Sequence, residues 1–191
     1  MSRADDRLTL IRYRPFLNGD APALAEVWRS QPPMRGLVQP MSASLLEDFV
    51  FWKPYFDREG LIVATEDERV VGFAHAGFGP CEDRSSLSTE LGVTSMLMTH
   101  TQADRATISV ELLGRSEQYL ISRGARVLYG GGIRPLDPFY LGLYGGSELP
   151  GILASDEQKL RLFLDCGYRE VDRVIVMQRE LNRFRMPVDR R

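Results

Sequence analysis

Residues 91–124 read LGVTSMLMTHTQADRATISVELLGRSEQYLISRG, and the reading of this stretch decides the fold. Residues 91–99 are apolar with short polar side chains between them, the pattern of a strand buried on at least one face. Residues 100–104 (HTQAD) form a polar turn. From Arg105 the apolar side chains fall at helical spacing, at Ile108, Leu112, Leu113, Tyr119, Leu120 and Ile121. Gly124 stands where such a helix stops. A strand that delivers the chain to a helix N-terminus leaves several main-chain N–H groups aimed at the turn. With the helix dipole they form a candidate anion site.

Working outward, residues 61–65 (LIVAT) and 70–77 (VVGFAHAG) flank a short charged turn and read as a β-hairpin. His75 lies inside its second strand and reads as structural. Upstream, residues 8–15 suit a first strand. Asp20 then caps a helix with Leu24, Val27 and Trp28 on its apolar face, ended by Pro32 and Pro33. A second helix, capped by Ser42 or Ser44, carries Leu45, Leu46, Phe49, Val50, Trp52 and Phe56, and Pro54 ends or kinks it. Most of its aromatic cluster reads as core.

Downstream, residues 126–129 (RVLY) are the next strand. Residues 130–154 (GGGIRPLDPFYLGLYGGSELPGILA) combine many glycines and prolines with Phe139, Tyr140 and Tyr144. Pure disorder rarely carries so many aromatic residues, and long ordered loops tend to be functional. Ser155 is expected to cap a further helix, with Leu160, Phe163 and Leu164 buried and Gly167 at its end. Residues 168–181 read as one or two strands, with Val174, Val176 and Gln178 on one face, and the arginine-rich tail as a solvated end. The order β-α-α-β-β-β-α-β-α-β(β) implies an α/β (α+β) domain: a mixed central sheet flanked by helices, in one unit over residues 1–191.

The 191 residues are 43% hydrophobic with a net charge of −2, enough for a sizeable core and with no global basic charge for nucleic acid. No apolar run approaches membrane-spanning length, and the N-terminus has no signal pattern, so a cytoplasmic setting without membrane association is expected. The two cysteines and two histidines give no metal spacing.

The order, together with the hairpin LIVATEDERVVGFAHAGF, the run LMTHTQADRATISVELL and the run LRLFLDCGYREVDRVIVMQREL, resembles the GCN5-related N-acetyltransferase family over nearly the whole chain. The resemblance implies acetyl-CoA as co-substrate, no metal, and an amine of a small molecule or peptide as acceptor. It implies that the strand at Leu97, Met98 and Thr99 offers main-chain contacts to the pantetheine arm. The pyrophosphate would sit on Asp104, Arg105, Ala106, Thr107, Ile108 and Ser109. That loop is normally glycine-bearing; here it has no glycine, and Asp104 stands where the family has arginine or glutamine. The family's tyrosine acid, four residues before the glycine of the last helix, corresponds to Phe163, which has no proton to give. Tyr140 and Tyr144 are then the candidate acids. Glu90 is the first candidate base, with Glu148 and Asp137 behind it. His100 borders the phosphate loop. The alternative is an acetyltransferase-like domain that binds a ligand or partner without catalysis. Relatives in the family often dimerise, which makes a homodimer one expected assembly.

Overall fold

The computed structural model describes residues 10–81, 83, 85–132, 139–146, 151–175, 177, 180 and 182. The hairpin forms as expected, from β2 (Leu61–Glu66) and β3 (Arg69–Pro80). Asp67 and Glu68 join them with φ of 45° and 68°. Two successive positive φ angles give the turn that matches the right-handed twist of its flanking strands.

Around this hairpin the sheet runs in the order β1-β2-β3-β4-β5, with β1 at Ile11–Pro15, β4 at Leu87–Thr99 and β5 at Val127–Gly130. Every neighbouring pair is antiparallel except β4 and β5, which are parallel. The parallel pair needs a crossover, and α3 (Arg105–Ser122) supplies it. Gly124, at φ +105°, ends that crossover in the left-handed region.

Register places the core. Val63, Phe73 and Met98 lie side by side across three strands, as do Ile62, Ala74 and Leu97. Alternation sends the two rows to opposite faces. The first row packs with Trp28 of α1 (Ala21–Arg29) and Leu46 of α2 (Ala43–Leu46). The second packs with Ile108 and Leu112 of α3 and with Phe163 of α4 (Glu157–Asp165). Since β3 is covered on both sides, ten of its consecutive residues, Val70 to Gly79, are buried. Each large side chain enclosed this way stabilises the fold by about 1.5–3 kcal/mol.

One open alternative is settled and three local expectations change. Ser42, not Ser44, caps the second helix, accepting the Leu45 N–H at 3.2 Å. That helix widens to π winding over Glu47–Phe51, which turns Trp52 out to 87% exposure. Asp156, not Ser155, caps α4, and Lys159 is buried there while Leu164 is 45% exposed. Among the described residues, 168–175 and 177 form no strand, and Val171, Ile175 and Met177 are exposed. Their alternation suits a strand, but a strand needs a paired edge, and no described strand takes this segment. Val176, Gln178 and the arginine-rich tail beyond Asn182 lie outside the described residues.

Candidate functional site

The sheet opens at β4. Parallel pairing joins Leu91 through Thr94 to Val127 through Gly130, and Gly131 N–H adds a bond to Thr94 O at 2.9 Å. β4 runs on through Thr99, but no described strand pairs with that part of its β5-side edge. The divergence coincides with a bulge. His75 pairs with Met96 and Ala76 with Thr94, which leaves Ser95 as the extra residue. A bulge bends its strand and re-aims the residues beyond it. Ser95 Oγ is buried there without a hydrogen-bond partner.

One bond sets the phase of the open edge. His100 N–H donates to Val71 O at 2.7 Å, so His100, Met98 and Met96 face β3 with their main-chain groups. Leu97 and Thr99 therefore turn theirs toward the opening. The Thr99 carbonyl is taken by the Gln31 side-chain amide at 3.0 Å. Met98, expected to offer main-chain contacts, is instead paired with Phe73 in the β3 ladder.

Between β4 and α4 lies a cleft of about 280 Å³. Leu97, Met98, Thr99, Arg105, Ala106 and Ser109 line one side of it, so Met98 borders the cleft even though its main chain belongs to the β3 ladder. Arg105 reaches the Thr99 hydroxyl (3.3 Å) and Gln31 Oε1 (3.4 Å). Asp104 is the N-cap of α3, its carboxylate accepting the Thr107 N–H at 3.4 Å. Ala106 and Thr107 are exposed, whereas Ile108 is in the core and its N–H is bonded to Asp104 O. The expected loop thus divides: Arg105, Ala106 and Ser109 line the cleft, and Ile108 packs beneath it.

The other side is built by α4. Lys159 is buried, with Nζ 2.8 Å from Asp156 Oδ2, 3.7 Å from Met96 Sδ and 4.2 Å from the centre of the Tyr144 ring. The Tyr144 hydroxyl donates to Asp156 (2.9 Å) and accepts the Leu153 N–H (3.2 Å). Burial pulls the Lys159 ammonium below its ordinary pKa, against the support of Asp156. Burial alone would raise the Asp156 carboxyl, but Lys159 and Tyr144 outweigh it and hold it below the ordinary value. Burial and the neighbouring Asp156 charge both raise the Tyr144 phenol, which stays protonated.

The two candidate tyrosines therefore part company. Tyr144 lines the cleft. Tyr140 is buried under Trp28, ring centres 6.0 Å apart, with its hydroxyl 3.0 Å from His75 Nδ1. His75 itself is fully enclosed against Phe139 and Phe56, and burial pushes it down to about 3, so it is neutral. His100 is buried beside Arg69 and the Gln102 N–H, outside the cleft lining. Glu90 is exposed near the start of β4, roughly 23 Å along the strand from Leu97. Glu148 and Asp137 lie outside the described residues. Sequence reasoning missed Gln31, Asp156 and Lys159. A signal existed for the last: Lys159 precedes Phe163 by one helical turn, on the buried face.

The architecture as a whole, five-stranded sheet and flanking helices together, superposes on solved acetyltransferases. This chain has the acyl-CoA N-acyltransferase fold. An aminoglycoside N-acetyltransferase in complex with CoA superposes with a TM-score of 0.60 at 11% identity, covering 92% of this chain and 99% of that one. The ribosomal-protein-alanine N-acetyltransferase of Brucella melitensis biovar Abortus 2308 gives 0.55 at 16% identity, covering 88% and 98%. A transcriptional regulator from Bacillus halodurans C-125 gives 0.59 at 15%, covering 88% and 99%. No protein-family model and no curated protein sequence matches the chain. At these identities the N-acyltransferase likeness is one of fold. Among the described residues, no cluster of histidine, cysteine and carboxylate side chains suits a metal, and no helix is long and apolar enough to cross a membrane.

Proposed function

We propose that the protein is an acetyl-CoA-dependent N-acyltransferase whose acceptor is an amine of a small molecule or peptide. The observation that carries this reading is the open main-chain edge of β4 beside a cleft that ends at the α3 N-terminus. An extended, amide-bearing arm suits such an edge. Leu97 offers it an N–H and a C=O, and Thr99 an N–H, in the manner of an added strand. The fit extends to the anion. Arg105 points a guanidinium into the cleft, and Ala106 and Thr107 are exposed in the first turn of an 18-residue helix. Asp104 now takes the Thr107 N–H, and a phosphate oxygen would have to displace that carboxylate. Neighbours of the same fold bind CoA, trehalose and sisomicin, which supports a small polar acceptor.

Chemically, bound acetyl-CoA supplies a thioester for attack by the acceptor nitrogen. The β4 edge orients the arm, and an N–H of that edge can donate to the carbonyl oxygen as negative charge grows on it. Glu90 is exposed and distant, and water at the mouth of the cleft is the route proposed for the acceptor's proton. Saturating acetyl-CoA should stabilise the protein by about 2.7 kcal/mol at a hundredfold excess over Kd, a melting shift of several degrees. No shift with acetyl-CoA or any other acyl-CoA would overturn the reading. Release of free CoA that depends on an added amine separates the enzyme from a non-catalytic binding domain.

A further inference from the structure

We propose that Lys159 is the partner of the CoA sulfur: it holds the thiolate as it departs and gives it its proton. This rests on the acyltransferase reading and extends it to a residue on the opposite wall of the cleft.

A lysine ammonium has three donors and no acceptor. In Lys159 one meets Asp156 Oδ2 at 2.8 Å, one is 3.7 Å from the Met96 sulfur, and the charge rests 4.2 Å from the Tyr144 ring centre. The ammonium thus already accepts a sulfur as a neighbour. That thioether is a weak acceptor, and it sits one residue beyond the Ser95 bulge, where the sheet opens. A thiolate carries a full charge and makes a much stronger bond to the same donor. Lys159 also lines the cleft from α4, facing the β4 edge that would carry the arm.

Two other described groups near the site do not serve as well. Tyr144 commits its proton to Asp156. Phe163, one turn along the helix, is apolar. The charged groups acting on Lys159 are Asp156, which supports its charge, and Arg105 across the cleft, which opposes it. Together with burial, Arg105 makes the ammonium a better acid than a solvated lysine.

The step balances. The acceptor nitrogen bonds to the acetyl carbon, the carbon–sulfur bond breaks, and its electron pair stays on sulfur. Lys159 Nζ passes a proton to that sulfur, giving the free thiol. The neutral amine regains a proton through water from the one the acceptor nitrogen lost.

The test needs no known acceptor. CoA and desulfo-CoA are titrated into the wild-type protein and into the double variant Lys159→Met with Asp156→Asn. The second substitution keeps a capping side chain and leaves no unpaired carboxylate. The variant should bind desulfo-CoA as well as the wild type does and bind CoA several-fold more weakly. Thiolate absorbance of bound CoA should show ionisation about tenfold more favourable in the wild type than in free CoA, and no such gain in the variant. Equal thiol ionisation in both proteins would overturn the proposal, and so would equal weakening of CoA and desulfo-CoA. If the variant does not fold, Lys159→Arg is measured instead; it keeps the charge and must keep the ionisation gain. Failure of the wild type to bind either ligand would instead reject the acyltransferase reading itself.

Discussion

The two walls of the cleft hold their charges in opposite ways. On the α3 wall, Asp104 is exposed and Arg105 half-buried, and their contacts are long, 3.3–3.4 Å. On the α4 wall, Lys159 is buried, Asp156 is nearly so, and the Asp156–Lys159 and Tyr144–Asp156 contacts are 2.8 and 2.9 Å. The first wall is adaptable, and a ligand can displace what is there. The second is fixed before any ligand arrives. Binding an anionic tail tolerates adjustment, whereas a donor to a reacting atom must already be in place.

The largest effect should come from removing the centre of the fixed wall. Asp156→Ala takes away the α4 cap, the Lys159 counter-charge and the Tyr144 acceptor together. Breaking one partner of a buried ion pair typically costs about 3–5 kcal/mol. Urea denaturation should show a loss of that order. A loss below about 1 kcal/mol, the range of surface pairs, would show that the α4 wall is no more fixed than the α3 wall. Acid should attack the same point. Because the folded-state pKa of Asp156 is lowered, its contribution is fully present above the unfolded value of about 3.9 and is lost as pH falls through the folded value. The variant's stability should therefore decline less steeply than the wild type's below about pH 4.

Next comes the seat of α4 on the sheet. A Cβ at Gly130 would lie 2.5 Å from the Phe163 ring. Gly130→Ala must push that ring, and α4 with it, away from β5. Overpacking of this kind costs about 1–3 kcal/mol. The variant should also bind CoA more weakly, because the lysine moves with its helix. Unchanged stability and binding would mean that the ring swings aside and the wall does not depend on it.

The same contrast explains what the sequence disclosed. The hairpin, the crossover helix and its stop at Gly124 were legible, because alternation, 3.6-residue spacing and glycine placement are local properties. The strand-to-helix junction that ends at the α3 N-terminus was legible for the same reason. The division of labour between Tyr140 and Tyr144 was not. Both stand in one glycine-rich run, and only the tertiary path carries one beneath Trp28 and the other to Asp156. Lys159 escapes notice because a lysine in a helix is ordinarily solvated; the sheet opening beside it coincides with the bulge at Ser95, and a bulge leaves no mark in alternation. The run after Gly167 misleads in the other direction. It has a strand's alternation, but pairing depends on an available edge, which its own residues do not specify.

The smallest effect, and the one that speaks most directly to the adaptable wall, belongs to Asp104. An asparagine caps a helix about as well as an aspartate, so Asp104→Asn should leave stability nearly unchanged. It removes a negative charge from the place where phosphate would enter. A charge beside a helix N-terminus is worth about 0.3–1 kcal/mol, and relief of that order corresponds to acetyl-CoA binding roughly two- to fivefold tighter. Calorimetry at low and high salt would resolve it, with the gain shrinking as salt screens the charge. Tighter binding with unaltered stability is what a displaceable cap requires. Weaker binding would mean that the carboxylate orders the turn for the ligand, and that the α3 wall, too, is built before the ligand comes.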